Sequence, residues 1–131
     1  MEEKIVLHID DDEDDQMLVR EAILQFDHTI LVQAAPNGDH GLSVLKAFKD
    51  ANRTPCLILL DLNMPGMTSD QIVTLIQKDE VYKNIPLIIF TTSSAARDKE
   101  FALRRGVAFL TKPSSHHDLI DCMQKLLGNC T

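Results

Sequence analysis

Polar residues stand where apolar runs of this chain stop. Asp10-Asp11-Asp12 follows Ile5-Val6-Leu7-His8-Ile9, Asp61 follows Cys56-Leu57-Ile58-Leu59-Leu60, Thr91-Thr92 follows Leu87-Ile88-Ile89-Phe90, and Lys112 follows the stretch from Val107 to Thr111. Carboxylates gathered within a few ångströms stay ionised at neutral pH only where a cation offsets their repulsion. All-oxygen donors with no cysteine nearby suit a hard divalent ion, and Mg²⁺ in particular takes one or two carboxylates together with waters and a phosphate. Asp11 and Asp61 are the candidate ligands, with Asp10 binding directly or holding a coordinated water. An aspartate can also attack phosphorus and form an aspartyl phosphate. Asp61 suits that role because it ends the most apolar run, where its direction is fixed and water is partly excluded. Phosphoryl transfer asks a protein mainly for positioning and charge stabilisation. The ion would hold one phosphoryl oxygen, the Lys112 ammonium a second, and the Thr91 hydroxyl or a backbone N–H a third.

These residues meet only if the apolar runs are parallel strands, since ligands of open α/β sheets bind at the carboxyl ends of the strands. The chain reads that way, because short β-rich runs alternate with segments of helical period. Strands are expected at Ile5–Ile9, Thr29–Ala34, Cys56–Leu60, Leu87–Phe90 and Val107–Thr111. The two near-continuous apolar runs, before Asp61 and before Thr91, fit central strands covered on both faces. Between them, Met17, Leu18, Ala22, Ile23 and Phe26 mark one face of a first helix. Leu42, Leu45 and Phe48 mark a second after the Pro36-Asn37-Gly38 turn, and Ile72, Val73 and Ile76 mark a third. A fourth helix, Ala96 to Arg105, ends at Gly106, a residue suited to the left-handed C-terminal position. In the fifth, Leu119, Ile120, Met123, Leu126 and Leu127 form one stripe, and Ser115 with Asp118 resembles a capping box.

Other features read more plainly. Asp14 and Asp15 suit a solvated helix start, one of them as the N-cap. His8, lacking a second nitrogen or sulfur ligand nearby, reads as a packed or edge histidine, and His116 and His117 as exposed first-turn residues. Thr91 and Lys112 gain weight only in combination with the aspartates. The 131 residues, 44% apolar with net charge −7, suit a single domain over 1–131 with its core at about 4–127. No basic cluster favours nucleic acid, no apolar run approaches the roughly 20 residues that cross a bilayer, and no secretory leader is evident. Cys56, Cys122 and Cys130 read as reduced, structural thiols of a cytoplasmic protein.

With these residues in place the chain resembles the receiver domain of two-component response regulators, from about Lys4 to Leu127. The resemblance rests on Val6-Leu7-His8-Ile9-Asp10-Asp11-Asp12, Leu59-Leu60-Asp61-Leu62-Asn63-Met64-Pro65-Gly66-Met67, Ile88-Ile89-Phe90-Thr91-Thr92 and Phe109-Leu110-Thr111-Lys112-Pro113. It implies a flavodoxin-like, doubly wound (βα)5 α/β sandwich with a five-stranded parallel sheet in order 2-1-3-4-5. It also implies Asp61 as phosphoacceptor, Asp10 and Asp11 as the acidic pair, the Asn63 main-chain carbonyl as a further metal ligand, and Mg²⁺ or Mn²⁺ as the ion. Thr91 would be the switch hydroxyl, Phe109 the aromatic switch residue, and Lys112 the contact to the phosphoryl group, with a Lys112-Pro113 bond that is typically cis. A sensor histidine kinase or histidine phosphotransfer protein would donate the phosphoryl group. The domain would catalyse its own phosphorylation and dephosphorylation while acting primarily as a switch.

Three departures qualify the likeness. Thr68-Ser69 stands where many receivers have Asp-Gly, so the turn into the third helix is open. Phe109 lacks the hydroxyl of the commoner tyrosine. Many receivers carry an output domain, and none is expected here, so output would be a protein contact made by a monomer or a phosphorylation-dependent dimer. A haloacid-dehalogenase-type phosphatase is the enzymatic alternative, and it wants a second aspartate at position 63, where this chain has asparagine.

Overall fold

The structure, a computed structural model, describes residues 3–130; residues 1, 2 and 131 of the expected span lie outside them. Five strands, β1 (Ile5–Ile9), β2 (Leu31–Ala35), β3 (Leu57–Leu60), β4 (Leu87–Thr91) and β5 (Ala108–Thr111), alternate with five helices. The helices are α1 (Glu13–Phe26), α2 (Gly38–Asp50), α3 (Ser69–Lys78), α4 (Ala96–Arg105) and α5 (His116–Leu127). Every strand pair is parallel, in the order β2-β1-β3-β4-β5. This is the doubly wound, flavodoxin-like arrangement that the resemblance implies, built from the parallel βα units that the alternation of elements predicts.

Side chains alternate across a strand, and the central strands feed two apolar cores. Leu7, Ile9, Ile58, Leu60 and Ile89 pack with Leu45 of α2, Ile72, Val73 and Ile76 of α3, and Ala102 of α4. On the opposite face Val6, Leu57, Leu59, Ile88 and Phe90 pack with Val19, Ala22 and Ile23 of α1 and Leu119, Met123 and Leu127 of α5. Even-numbered residues of β1 thus face α1 and α5, a parity that governs the site. Gly106 caps α4 at φ 68°, as its position predicts.

Several local expectations are corrected. The buried stripe of α1 is Val19, Ala22 and Ile23, while Met17, Leu18 and Phe26 are 52%, 38% and 37% exposed. The helix docks through an i, i+3, i+4 set turned from the expected one. Its N-cap is Asp12, not Asp14 or Asp15, because the Asp12 carboxylate accepts the Asp15 N–H at 3.0 Å. β2 begins at Leu31 rather than Thr29, since the Asp27 carboxylate accepts both the N–H and the hydroxyl of Thr29 and holds that residue in a turn. Thr68 resolves the entry to α3 as the N-cap of a full capping box with Gln71. The Lys112–Pro113 bond is trans, as are all peptide bonds among the described residues; the trans form is the intrinsically favoured one even before proline.

The cysteines depart furthest from expectation. Cys56 and Cys130 form a disulfide with their Cα atoms 5.3 Å apart, across 74 residues of sequence; among the described residues Cys122 is the free thiol. The pairing has a topological cause. α5 runs antiparallel to the strands, so its C-terminal 3-10 turn, Gly128–Cys130, returns to the edge where β3 starts. Cross-linking so long a loop constrains the unfolded chain, so Cys130→Ser is expected to lower unfolding free energy by about 2–4 kcal/mol. Urea unfolding of wild type with and without dithiothreitol provides the check, and coincident midpoints would contradict it.

Candidate functional site

The parallel register carries each candidate residue to the same edge, and backbone hydrogen bonds continue past the strands to fix it there. The Asp10 N–H donates to the Ala35 carbonyl at 2.9 Å, the Asp61 N–H to the Ile9 carbonyl at 2.9 Å, and the Lys112 N–H to the Thr91 carbonyl at 2.7 Å. Oxygen atoms of Asp10, Asp11 and Asp61 all lie within 4.8 Å of one another. Asp10 and Thr91 are buried, Asp61 and Lys112 half-buried, and Asp11 exposed.

Lys112 organises the cluster. Its Nζ donates to Asp10 Oδ2 at 2.7 Å and to Asp15 Oδ2 at 2.8 Å, and stands 3.4 Å from Asp61 Oδ2. The Asp10 Oδ1 accepts the Asp12 N–H at 3.0 Å, and the Gln16 side chain donates to the Asp10 carbonyl at 2.6 Å. Asp61 Oδ1 accepts the Leu62 N–H at 2.9 Å, which leaves Oδ2 toward the lysine. The Thr91 hydroxyl, on the last residue of β4, accepts the Ser93 N–H at 3.3 Å. Asn63, at φ 63°, and Gly66, at φ 90°, turn the chain sharply after β3. Phe109 is half-buried, against the core on the α2, α3 and α4 side of the sheet.

The electrostatics follow from burial and these partners. Burial pushes the Asp10 carboxyl up, but the His8 ring beside it and hydrogen bonds from Lys112 and the Asp12 N–H outweigh it and bring the pKa down to about 2. Burial raises Asp61, whose carboxyl is lowered by the Lys112 charge, raised by Asp10, and ends above the ordinary carboxylate value. Burial opposes the charge on Lys112, yet its hydrogen bonds to Asp10 and Asp15 and the charges of Asp61 and Asp10 raise its pKa. The four carboxylates here, Asp10, Asp11, Asp15 and Asp61, meet one ammonium. This excess of hard oxygen donors fits a divalent cation.

The candidate site residues Asp10, Asp11, Asp61, Thr91 and Lys112 come to this edge, while Phe109 lies inside β5. Two participants escaped sequence reasoning. Asp15 pairs with Lys112 rather than facing solvent alone; three residues past the N-cap, it turns from the first helical turn over the strand ends. His8 Nε2 lies 3.3 Å from Asp10 Oδ2, a consequence of both side chains sharing one face of β1, which the i, i+2 parity could have signalled.

Comparison with known proteins agrees with this geometry. The family model described as response regulator receiver domain matches residues 6–124. The sensor histidine kinase CheAY of Helicobacter pylori is 33% identical over 112 residues, which is 85% of this chain and 13% of that protein. Protein PilH of Pseudomonas aeruginosa is 28% identical over 124 residues, covering 94% of this chain and 97% of PilH. The crystal structure of the Mn²⁺-bound form of response regulator Rcp1 superimposes with a TM-score of 0.80 at 26% identity, covering 95% of this chain and 92% of that one.

Lys112 is the strongest influence holding the Asp61 carboxyl down against burial. Lys112→Ala is therefore expected to raise the Asp61 pKa further, read by carbon-detected NMR titration of the carboxyl without divalent ions. An unchanged or lower value would mean that the lysine does not keep this carboxylate ionised.

Proposed function

From the premise that this chain belongs to the response regulator receiver family, we propose that it is a phosphorylation switch whose acceptor is Asp61. Receiver domains bind a divalent metal at an acidic pocket and interact with histidine kinases. Here the ion would be Mg²⁺ or Mn²⁺, and Asp11, Asp61 and the Asn63 main-chain carbonyl would hold it, with Asp10 binding directly or through water. When bound, it offsets the carboxylates and the charge that builds on the transferring group. The observation that carries the proposal is the Lys112 ammonium set among Asp10, Asp15 and Asp61 at the carboxyl edge of the sheet.

The chain's own groups divide the work. The Leu62 N–H fixes Asp61 Oδ1, so Oδ2 is the attacking oxygen. It forms the O–P bond as the P–N bond to the donor imidazole breaks, and the electron pair of that bond returns to the ring nitrogen. Lys112, 3.4 Å from Oδ2, turns from its carboxylates to a phosphoryl oxygen, and the Thr91 hydroxyl takes another. Thr91 moving toward the phosphoryl group frees space for Phe109, which remodels the surface of α4, β5 and α5. A two-state gap of a few kcal/mol is enough for new charge-assisted contacts to reverse the populations.

The donor is a sensor histidine kinase or a histidine phosphotransfer protein, and the output is contact with a protein target in the cytoplasm, by a monomer or a phosphorylation-dependent dimer. The domain accelerates its own phosphorylation and dephosphorylation, with the switch as its purpose. Direct nucleic-acid contact is no part of this role, given the acidic net charge of −7. Among the described residues no helix is long and apolar enough to cross a membrane.

An acyl phosphate donor with Mg²⁺ is expected to add one phosphoryl mass to wild type, and none to Asp61→Asn or to wild type stripped of divalent ions, in intact-protein mass spectrometry. Wild-type labelling of the Asn variant would place the acceptor elsewhere. Lys112→Ala is expected to keep binding Mn²⁺ but to lose donor-induced chemical-shift changes in α4, β5 and α5; a wild-type response would remove Lys112 from the mechanism.

A further inference from the structure

Val6, His8 and Asp10 share the face of β1 that looks toward α1 and α5, and His8 is the polar interruption of that face within the strand. It is 1% exposed and lies between Ala34 of β2 and Leu59 of β3. Neither ring nitrogen makes an aligned hydrogen bond. The acceptor within reach is Asp10 Oδ2, 3.3 Å from Nε2, and that carboxylate is itself fully buried. A buried polar ring is otherwise a liability in a strand packed between apolar neighbours. Its tautomer follows from the surroundings, since only an N–H on Nε2 gives it an acceptor.

The donors around Asp10 explain what such a ring can do. Oδ1 is served by the Asp12 N–H and Oδ2 by Lys112 at 2.7 Å. Lys112 is shared, because it also holds Asp15 and approaches Asp61. A lysine that turns to a phosphoryl group on Asp61 withdraws a donor from a buried carboxylate oxygen, and His8 is the side chain left beside that oxygen.

We propose that His8 is a positioning residue for phosphoryl transfer: its Nε2–H holds the buried Asp10 carboxylate in place for the cation and lets Lys112 leave Asp10 for the phosphoryl group. The inference rests on the phosphoacceptor role of Asp61. It predicts two separable losses when the N–H is removed, one in cation affinity and one in the rate with the cation saturating.

The test uses the full chain with His8→Leu and His8→Met, which fill the space without an N–H, and His8→Gln, whose amide reaches about as far as Nε2. Mn²⁺ affinity is read from the EPR signal of the free ion, and phosphorylation by acetyl phosphate is followed across Mg²⁺ concentrations. Loss of an outer partner of a metal ligand typically costs about 10-fold or more in metal affinity or activity. The Leu and Met variants are expected to lose about that much affinity and to stay slower than wild type at saturating Mg²⁺, while Gln restores both. If Leu does not fold by circular dichroism, the Met and Gln pair decides. Equal affinity and rate in Met, Gln and wild type would overturn the role of His8. A wild-type protein that neither binds Mn²⁺ nor labels at Asp61 would instead overturn the phosphoacceptor role.

Discussion

The carboxylates at the carboxyl edge of this sheet repel one another, and one ammonium stands against that repulsion. Lys112 reaches Asp10, Asp15 and Asp61 from the end of β5. Pairs of this kind, largely withdrawn from water, are costly to break, because losing one partner strands the other as an uncompensated charge. They are much cheaper to exchange. A phosphoryl group brings oxygens that can take over the lysine's hydrogen bonds, so the arrangement resists removal of a partner while permitting its substitution.

Two layers of apolar packing make that arrangement possible. The central strands bury side chains on both faces, which leaves their backbone directions little freedom. The charged side chains begin where that packing ends, and Asp10, Asp61 and Lys112 each donate a backbone hydrogen bond to the neighbouring strand. Close packing of this kind transmits small displacements instead of absorbing them. A local exchange of partners at Lys112 or Thr91 therefore acts directly on β5 and β4, and through them on the helices they carry.

Much of this was legible in the sequence because it depends on short-range periodicity. Apolar runs that stop at Asp10, Asp61, Thr91 and Lys112 located the strand ends, and parallel topology then brought those residues together. The terminus of α4 at Gly106 and the buried faces of α3 and α5 followed from residue type and spacing alone. What escaped depends on three-dimensional placement. The α1 stripe was turned because Met17, Leu18 and Phe26 are apolar yet lie off the face that docks. Asp15 looked like one more solvated acid, since its partner is 97 residues away. His8 looked like packing because the carboxylate beside it belongs to the cluster and lies two residues further along the chain.

The Cys56–Cys130 link could not be read from cysteine spacing, yet it has a mechanical effect on the whole domain. It ties the first residue before β3 to the last turn beyond α5, at the sheet edge remote from Asp61 and Lys112. With that end pinned, α5 cannot slide along the sheet. The covalent anchor thus sits at one end of α5 only, and the His116 end, next to the loop that carries Lys112, is held by packing instead.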